Sequence, residues 1–94
     1  MIAFDSGPKF ALGEIHLTPG AAAKLLPQDI DEAVRRHGRG DWGEVDADGK
    51  QDNDTRVERG GTIASIYTSS TGIQFYVLTE ADRSLTTVLL PEEY

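Results

Sequence analysis

Three short runs rich in β-branched and aromatic residues crowd the last third of the chain, and they stand very close together. They are Thr62-Ile-Ala-Ser-Ile-Tyr-Thr68, Ile73-Gln-Phe-Tyr-Val-Leu-Thr79 and Ser84-Leu-Thr-Thr-Val-Leu-Leu90, each parted from the next by four turn-forming residues, 69–72 and 80–83. Runs of this composition suit pleated, half-buried strands. A parallel return needs a crossover of a dozen residues or more, so gaps this short leave antiparallel hairpins as the solution. The sequence therefore predicts a three-stranded antiparallel meander in which Ile73, Phe75 and Val77 face the core together. Pro91 ends the last strand.

The segments before the meander read differently. Phe10 to Leu17 is expected to form a first strand. Phe10 and Leu12 share one face and Ile15 and Leu17 the other, which points to a bulge near Gly13. Thr18-Pro19 is a helix-start signal, and the helix it opens runs through Ala21-Ala-Ala-Lys-Leu-Leu26 until Pro27 stops it. A second helix is expected over Pro27–His37, with Ile30, Ala33, Val34 and His37 on its buried face and Gly38 as its terminator. Asp29, Asp31 and Glu32 in its first turns and Arg35, Arg36 and His37 in its last suit the helix dipole at both ends, which favours a cationic His37. A third helix is expected from Ala47 to Arg59, closed by Gly60-Gly61. The fold class is α+β: one N-terminal strand, two or three short helices in a single layer on the sheet, then the meander. Ninety-four residues fit one domain with one core, residues 1–8 reading as a short arm that ends at Gly7-Pro8.

Charge narrows the choice of partners. Residues 1–40 carry five acids and five bases, which cancel; residues 41–94 supply the whole net charge of −7. Asp41, Glu44, Asp46, Asp48, Asp52 and Asp54 face only Lys50 within their segment. Such a field repels nucleic-acid phosphates and attracts a basic protein surface, although it also serves solubility. Together with Trp42, these acids are the candidate partner-binding residues. Trp42 itself has two readings, a loop anchor or an interface hot spot. Arg35, Arg36 and Arg39 close the second helix or, less simply, contact a phosphate.

Catalytic and metal chemistry find little support. The chain has no cysteine, which removes disulfides and thiolate sites and suits a reducing cytoplasm. The run Asp46-Ala-Asp-Gly-Lys-Gln-Asp-Asn-Asp54 fails as a calcium loop, since Lys50 falls on a ligand position from either Asp start. His16 and His37 are too few for a zinc site without cysteines unless carboxylates complete it. Ser65, Ser69, Ser70 and Ser84 lack a nucleophile motif, and Glu80 and Asp82 read as solvated turn residues. Catalytic residues, cofactor and metal are all expected to be none. No apolar run reaches the ~20 residues of a membrane helix, and the start, Met1-Ile-Ala-Phe-Asp-Ser-Gly-Pro8, lacks the basic and apolar regions of a secretory leader.

The wording of the chain also resembles a family of small plasmid- and phage-borne bacterial proteins. The resemblance rests on Gly40-Asp-Trp-Gly43, Asn53-Asp54, Gly60-Gly61, Tyr67, Leu78-Thr-Glu-Ala-Asp-Arg-Ser84 and Thr87-Val-Leu-Leu-Pro-Glu-Glu-Tyr94, and covers roughly residues 12–94. It implies a mobile-element setting, in which compact acidic proteins often antagonise host defence complexes. The expected function is therefore an acidic binding protein, an inhibitor of a CRISPR or restriction complex acting on its basic nucleic-acid surface. The alternatives are a small ribonuclease toxin, whose order of helices before sheet fits, and a plasmid accessory protein with no inhibitory role.

Overall fold

The structure, a computed structural model, describes residues 7–94. The remainder of the expected arm, residues 1–6, lies outside the described residues. Within them the chain runs β1 (Glu14–Leu17), α1 (Pro19–Lys24), α2 (Pro27–Gly38), α3 (Ala47–Arg59), β2 (Ile63–Thr68), β3 (Gln74–Thr79) and β4 (Leu85–Leu89), then a 3₁₀ turn over Pro91–Glu93. The fold is α+β, as expected. Its sheet, however, has four strands in the order β1-β4-β3-β2 and is mixed. The two hairpins of the meander are antiparallel, while β1 adds to it parallel to β4, with Glu14 opposite Leu85 and Leu17 opposite Val88.

Local chemistry explains the helix bounds. The Thr18 hydroxyl accepts from the Ala21 N–H with Pro19 in the first turn of α1, and Asp46 accepts from the Gly49 N–H at the start of α3. Gly38 is not the terminator of α2 but its last residue, buried against Pro8 and Leu12. The left-handed residue that follows the helix is Gly40.

Residues 10–13 are not strand. Phe10 leaves the sheet for the core, and Gly13, at φ 65°, lets the backbone press against Ser84, where a Cβ would stand 2.3 Å from the carbonyl carbon. The parallel pairing starts only after this bend.

The helices do not form a single layer. Inner-face residues of the sheet (Tyr67, Phe75, Val77 and Val88) pack with Ala21 and Leu25 of the α1 region and with Ile30 and Ala33 of α2. Ile73 joins this cluster from just outside β3. By contrast, α3 lies along the free edge of β2. There the Asn53 side-chain amide donates to the Ala64 carbonyl at 2.8 Å and its oxygen accepts the Ala64 N–H at 3.4 Å. One residue pair further on, the Trp42 carbonyl accepts from Ile66 and the Glu44 N–H donates to it. The outward backbone groups of the β2 edge are thus taken by the protein itself.

Candidate functional site

The loop between α2 and α3 and the helix α3 carry the candidate binding residues, and the structure gives most of them work inside the fold. Trp42 is 3 % exposed and packs with Phe10 and Ile63, while its indole N–H donates to Asp54 at 3.0 Å. It is the loop anchor, and its buried ring offers no contact to a partner. Gly43 follows at φ 71°, so close to β2 that a Cβ would lie 2.0 Å from the Ile66 carbonyl oxygen. Asp41 takes a two-pronged bond from the Arg36 guanidinium, at 2.7 and 3.2 Å. That bond holds the Asp41 carboxyl below its ordinary value and the Arg36 guanidinium above its own. Arg36 also lies over the Tyr67 ring, 4.7 Å from its centroid, and the Tyr67 hydroxyl donates to the Asp41 carbonyl at 2.6 Å. Burial pushes this phenol up to about 12.

Glu44 accepts from the Thr68 hydroxyl at 2.7 Å, and Asp46 caps α3. Asp48 and Asp52 are left: both are exposed, one turn apart on α3, with no bond inside the fold among the described residues. The Arg56 side chain, one turn beyond Asp52, donates instead to the Thr62 carbonyl at 3.3 Å. The basic cluster is similarly committed, with Arg36 held by Asp41 and Arg35 paired with Glu32.

A second constellation was not assembled by sequence reasoning. His37 is 0 % exposed, between the rings of Phe10 and Trp42 at 5.4 and 5.7 Å. Its Nδ1 meets Ser65 Oγ at 2.6 Å and its Nε2 meets Thr79 Oγ1 at 2.9 Å. Thr79 in turn meets Thr86 Oγ1 at 2.7 Å, and the Thr86 hydroxyl donates to the Leu12 carbonyl at 2.6 Å. Burial lowers the His37 pKa to about 4, so the imidazole is neutral at pH 7. The cationic reading from the helix dipole is therefore corrected: the dipole contributes ~0.3–1 kcal/mol for an exposed group, while burying a charge costs several.

The pairing of Ser65 with His37 has the distance of a nucleophile and its base, but Ser65 is also 0 % exposed. No substrate reaches a hydroxyl so enclosed, and the chain of bonds serves the core. The signal for it was present in the sequence. Hydroxyl residues occupy inward positions on three neighbouring strands, opposite the polar residue of α2's buried face.

The other candidates resolve into separate places. His16 sits on exposed β1 with its Nε2 beside Glu14, at 2.6 Å, while His37 is buried. Asp82 accepts from the Ser84 hydroxyl at 2.6 Å and its N–H at 3.0 Å, closing the β3–β4 turn. These bonds hold its carboxyl below the ordinary value. Glu93 ties the 3₁₀ turn to the start of α1 by accepting from Thr18 Oγ1 at 2.5 Å and from the Gly20 N–H at 2.9 Å. No cluster of three His, Cys, Asp or Glu fit to hold a metal ion occurs among the described residues, and no helix there is long and apolar enough to cross a membrane.

No family model, curated protein or solved structure matches this chain. The functional reading accordingly stands on the chain's own residues.

Proposed function

We propose that this chain is a small acidic binding protein whose carboxylates on α3 engage a basic protein surface of the kind that holds nucleic acid, and that it thereby inhibits a host defence complex. The observation that carries the reading is the charge pattern of α3. Asp48 and Asp52, and likewise Asp54 and Glu58, stand one helical turn apart as like charges on exposed positions. Like charges at this spacing cost a helix ~0.2–0.5 kcal/mol per pair rather than stabilising it. Asp48 gains only its place in the first turn of α3 and the Asp52 side chain makes no hydrogen bond or ion pair among the described residues, so a cationic partner supplies the missing counter-charge. The mobile-element setting implied by the sequence resemblance is one in which such an inhibitor has a target.

The test uses the two acids whose side chains make no hydrogen bond or ion pair among the described residues. A partner is captured from bacterial lysate on the immobilised protein and identified. Its association is then measured against the parent and against Asp48→Lys/Asp52→Lys at low and high salt. The parent should associate about tenfold faster at low salt, with the difference shrinking as salt rises. Equal association rates for parent and variant at low salt would reduce the acidic helix to a solubility feature and remove the basis of the reading.

A further inference from the structure

The two edges of the sheet are treated in opposite ways. The β2 edge is closed by Asn53, Trp42 and Glu44 as described, whereas β1, at the other edge, pairs among the described residues only with β4. The Glu14 N–H donates to Ser84 and the Thr18 N–H to Val88. Backbone groups alternate along a strand, so those of Ile15 and Leu17 point away from the sheet. No strand among the described residues takes them. The same two residues are 43 % and 42 % exposed. They lie on the helix side of the sheet, because their register partners Thr86 and Val88 are inner-face residues. Beside them a groove of about 750 Å³ separates β1 from α2, floored by Leu12, Ile15, Ile30 and Val34. The strand is short and begins with a charged residue, Glu14, but it carries no lysine, proline or bulge between Ile15 and Leu17.

We infer that β1 pairs antiparallel with β1 of a second copy of this chain, across a two-fold axis at His16. In that register Ile15 faces the partner's Leu17 and Leu17 faces the partner's Ile15. The outward N–H and C=O groups of both residues on both copies meet, and they close four hydrogen bonds. The four apolar side chains come together on the helix side, over the grooves. The interface is isologous and closes at two copies, making one continuous sheet of eight strands.

Charge supports a second copy as the occupant. The −7 of each chain resides in residues 41–94, while residues 1–40, which carry β1 and α2, are balanced. The acids beside β1 are each engaged within the chain, Glu14 by His16, Glu92 by Lys24 and Glu93 by Thr18 and Gly20, so two acidic copies can meet on this side with little repulsion. It is also the edge opposite to β2 and α3, so the acidic helix of each copy stays open. The inference does not depend on the proposed function.

Sedimentation equilibrium of the full chain over a wide concentration range tests it. The mass should rise with concentration toward twice 10.2 kDa, and Ile15→Lys/Leu17→Lys should hold at 10.2 kDa with an unchanged circular dichroism spectrum. Hydrogen exchange on the unmodified protein is independent of whether that variant folds. The amides of Ile15 and Leu17 should exchange about tenfold more slowly at high concentration than at low, while those of Glu14 and His16, already directed at β4, stay constant. A mass of 10.2 kDa at every concentration overturns the inference. So does a dimer that persists in a folded variant, or protection of Ile15 and Leu17 in a monomer, which would place a segment of the same chain on the edge.

Discussion

The Thr86 hydroxyl donates to the carbonyl of Leu12 at 2.6 Å, and this bond sets the direction of every proton in the chain that leads to His37. A carbonyl only accepts, so Thr86 spends its one proton there and accepts from Thr79. Thr79, having donated, accepts from His37 Nε2, which therefore carries the imidazole proton. Nδ1 is left as an acceptor for the Ser65 hydroxyl. One tautomer satisfies the entire line, and among the described residues no buried side-chain nitrogen or oxygen lacks a partner.

Stability should therefore depend on pH through His37. Its pKa falls from 6.5 in the unfolded chain to about 4 in the fold. Between those values the unfolded state binds more protons, so stability is full above pH 6.5 and is lost as pH falls toward 4, by roughly 3 kcal/mol. Asp41, depressed from 3.8, adds its own loss only at lower pH. Urea unfolding at several pH values should show the slope in the parent, and His37→Gln should flatten it in this window. A parent whose stability is level from pH 6.5 to 4.5 would contradict the buried neutral imidazole.

Arg83 should prove worth more than its awkward backbone costs. It is the non-glycine residue of positive φ among those described, at 63°. Its guanidinium donates to the carbonyls of Gly61 and Arg56, each at 2.6 Å, joining the β3–β4 turn to the end of α3. Arg83→Gly relieves the strain, of order 1 kcal/mol, but forfeits the fork, so a net loss of ~1–2 kcal/mol is expected by urea unfolding. A variant more stable than the parent would show that the strain dominates.

Asn53→Ala should open the β2 edge. It removes both bonds to Ala64 at a residue only 3 % exposed, at a cost of ~1–3 kcal/mol. Light scattering on warming should then report association at lower temperature than in the parent. A variant that unfolds earlier without associating would mean that Glu44 and Trp42 protect the edge unaided.

Gly43→Ala should be more damaging than its size suggests. The added methyl would meet the Ile66 carbonyl and the φ of 71° disfavours it, so a loss well over ~1 kcal/mol is expected. Because Trp42 is adjacent, its fluorescence should shift toward that of an exposed indole at temperatures where the parent is unchanged.

What the sequence disclosed followed how local each determinant is. The end of α3 at Arg59 was legible because Gly60-Gly61 closes it, whereas the Asp46 cap that fixes its start was hidden among poor helix formers and emerges only in the fold. The hairpins followed from four-residue gaps. The site of β1 was not legible, since parallel pairing with a strand seventy residues away leaves no mark near either partner. Phe10 and Leu12 mimic strand alternation, but Phe10 is drawn into the cluster of Trp42 and Ile63. At the candidate site, acidity was visible while its employment was not. Asp41, Asp46 and Asp54 look alike in a run of carboxylates, and only the fold shows one bridging an arginine, one capping a helix and one holding an indole.

The place of β1 also sets an order of events during synthesis. Its neighbour is the last strand, and Thr18 just after it is tied to Glu93, seventy-five residues on. Although β1 is made before the other strands described, it is thus among the last of them to be seated, and it waits until residues 85–93 have left the exit tunnel. A chain interrupted before Leu85 can close the β2–β3 hairpin, yet it carries Ile15 and Leu17 with nowhere to go. Premature termination should therefore yield a sticky product for the cell's proteases rather than a smaller working protein.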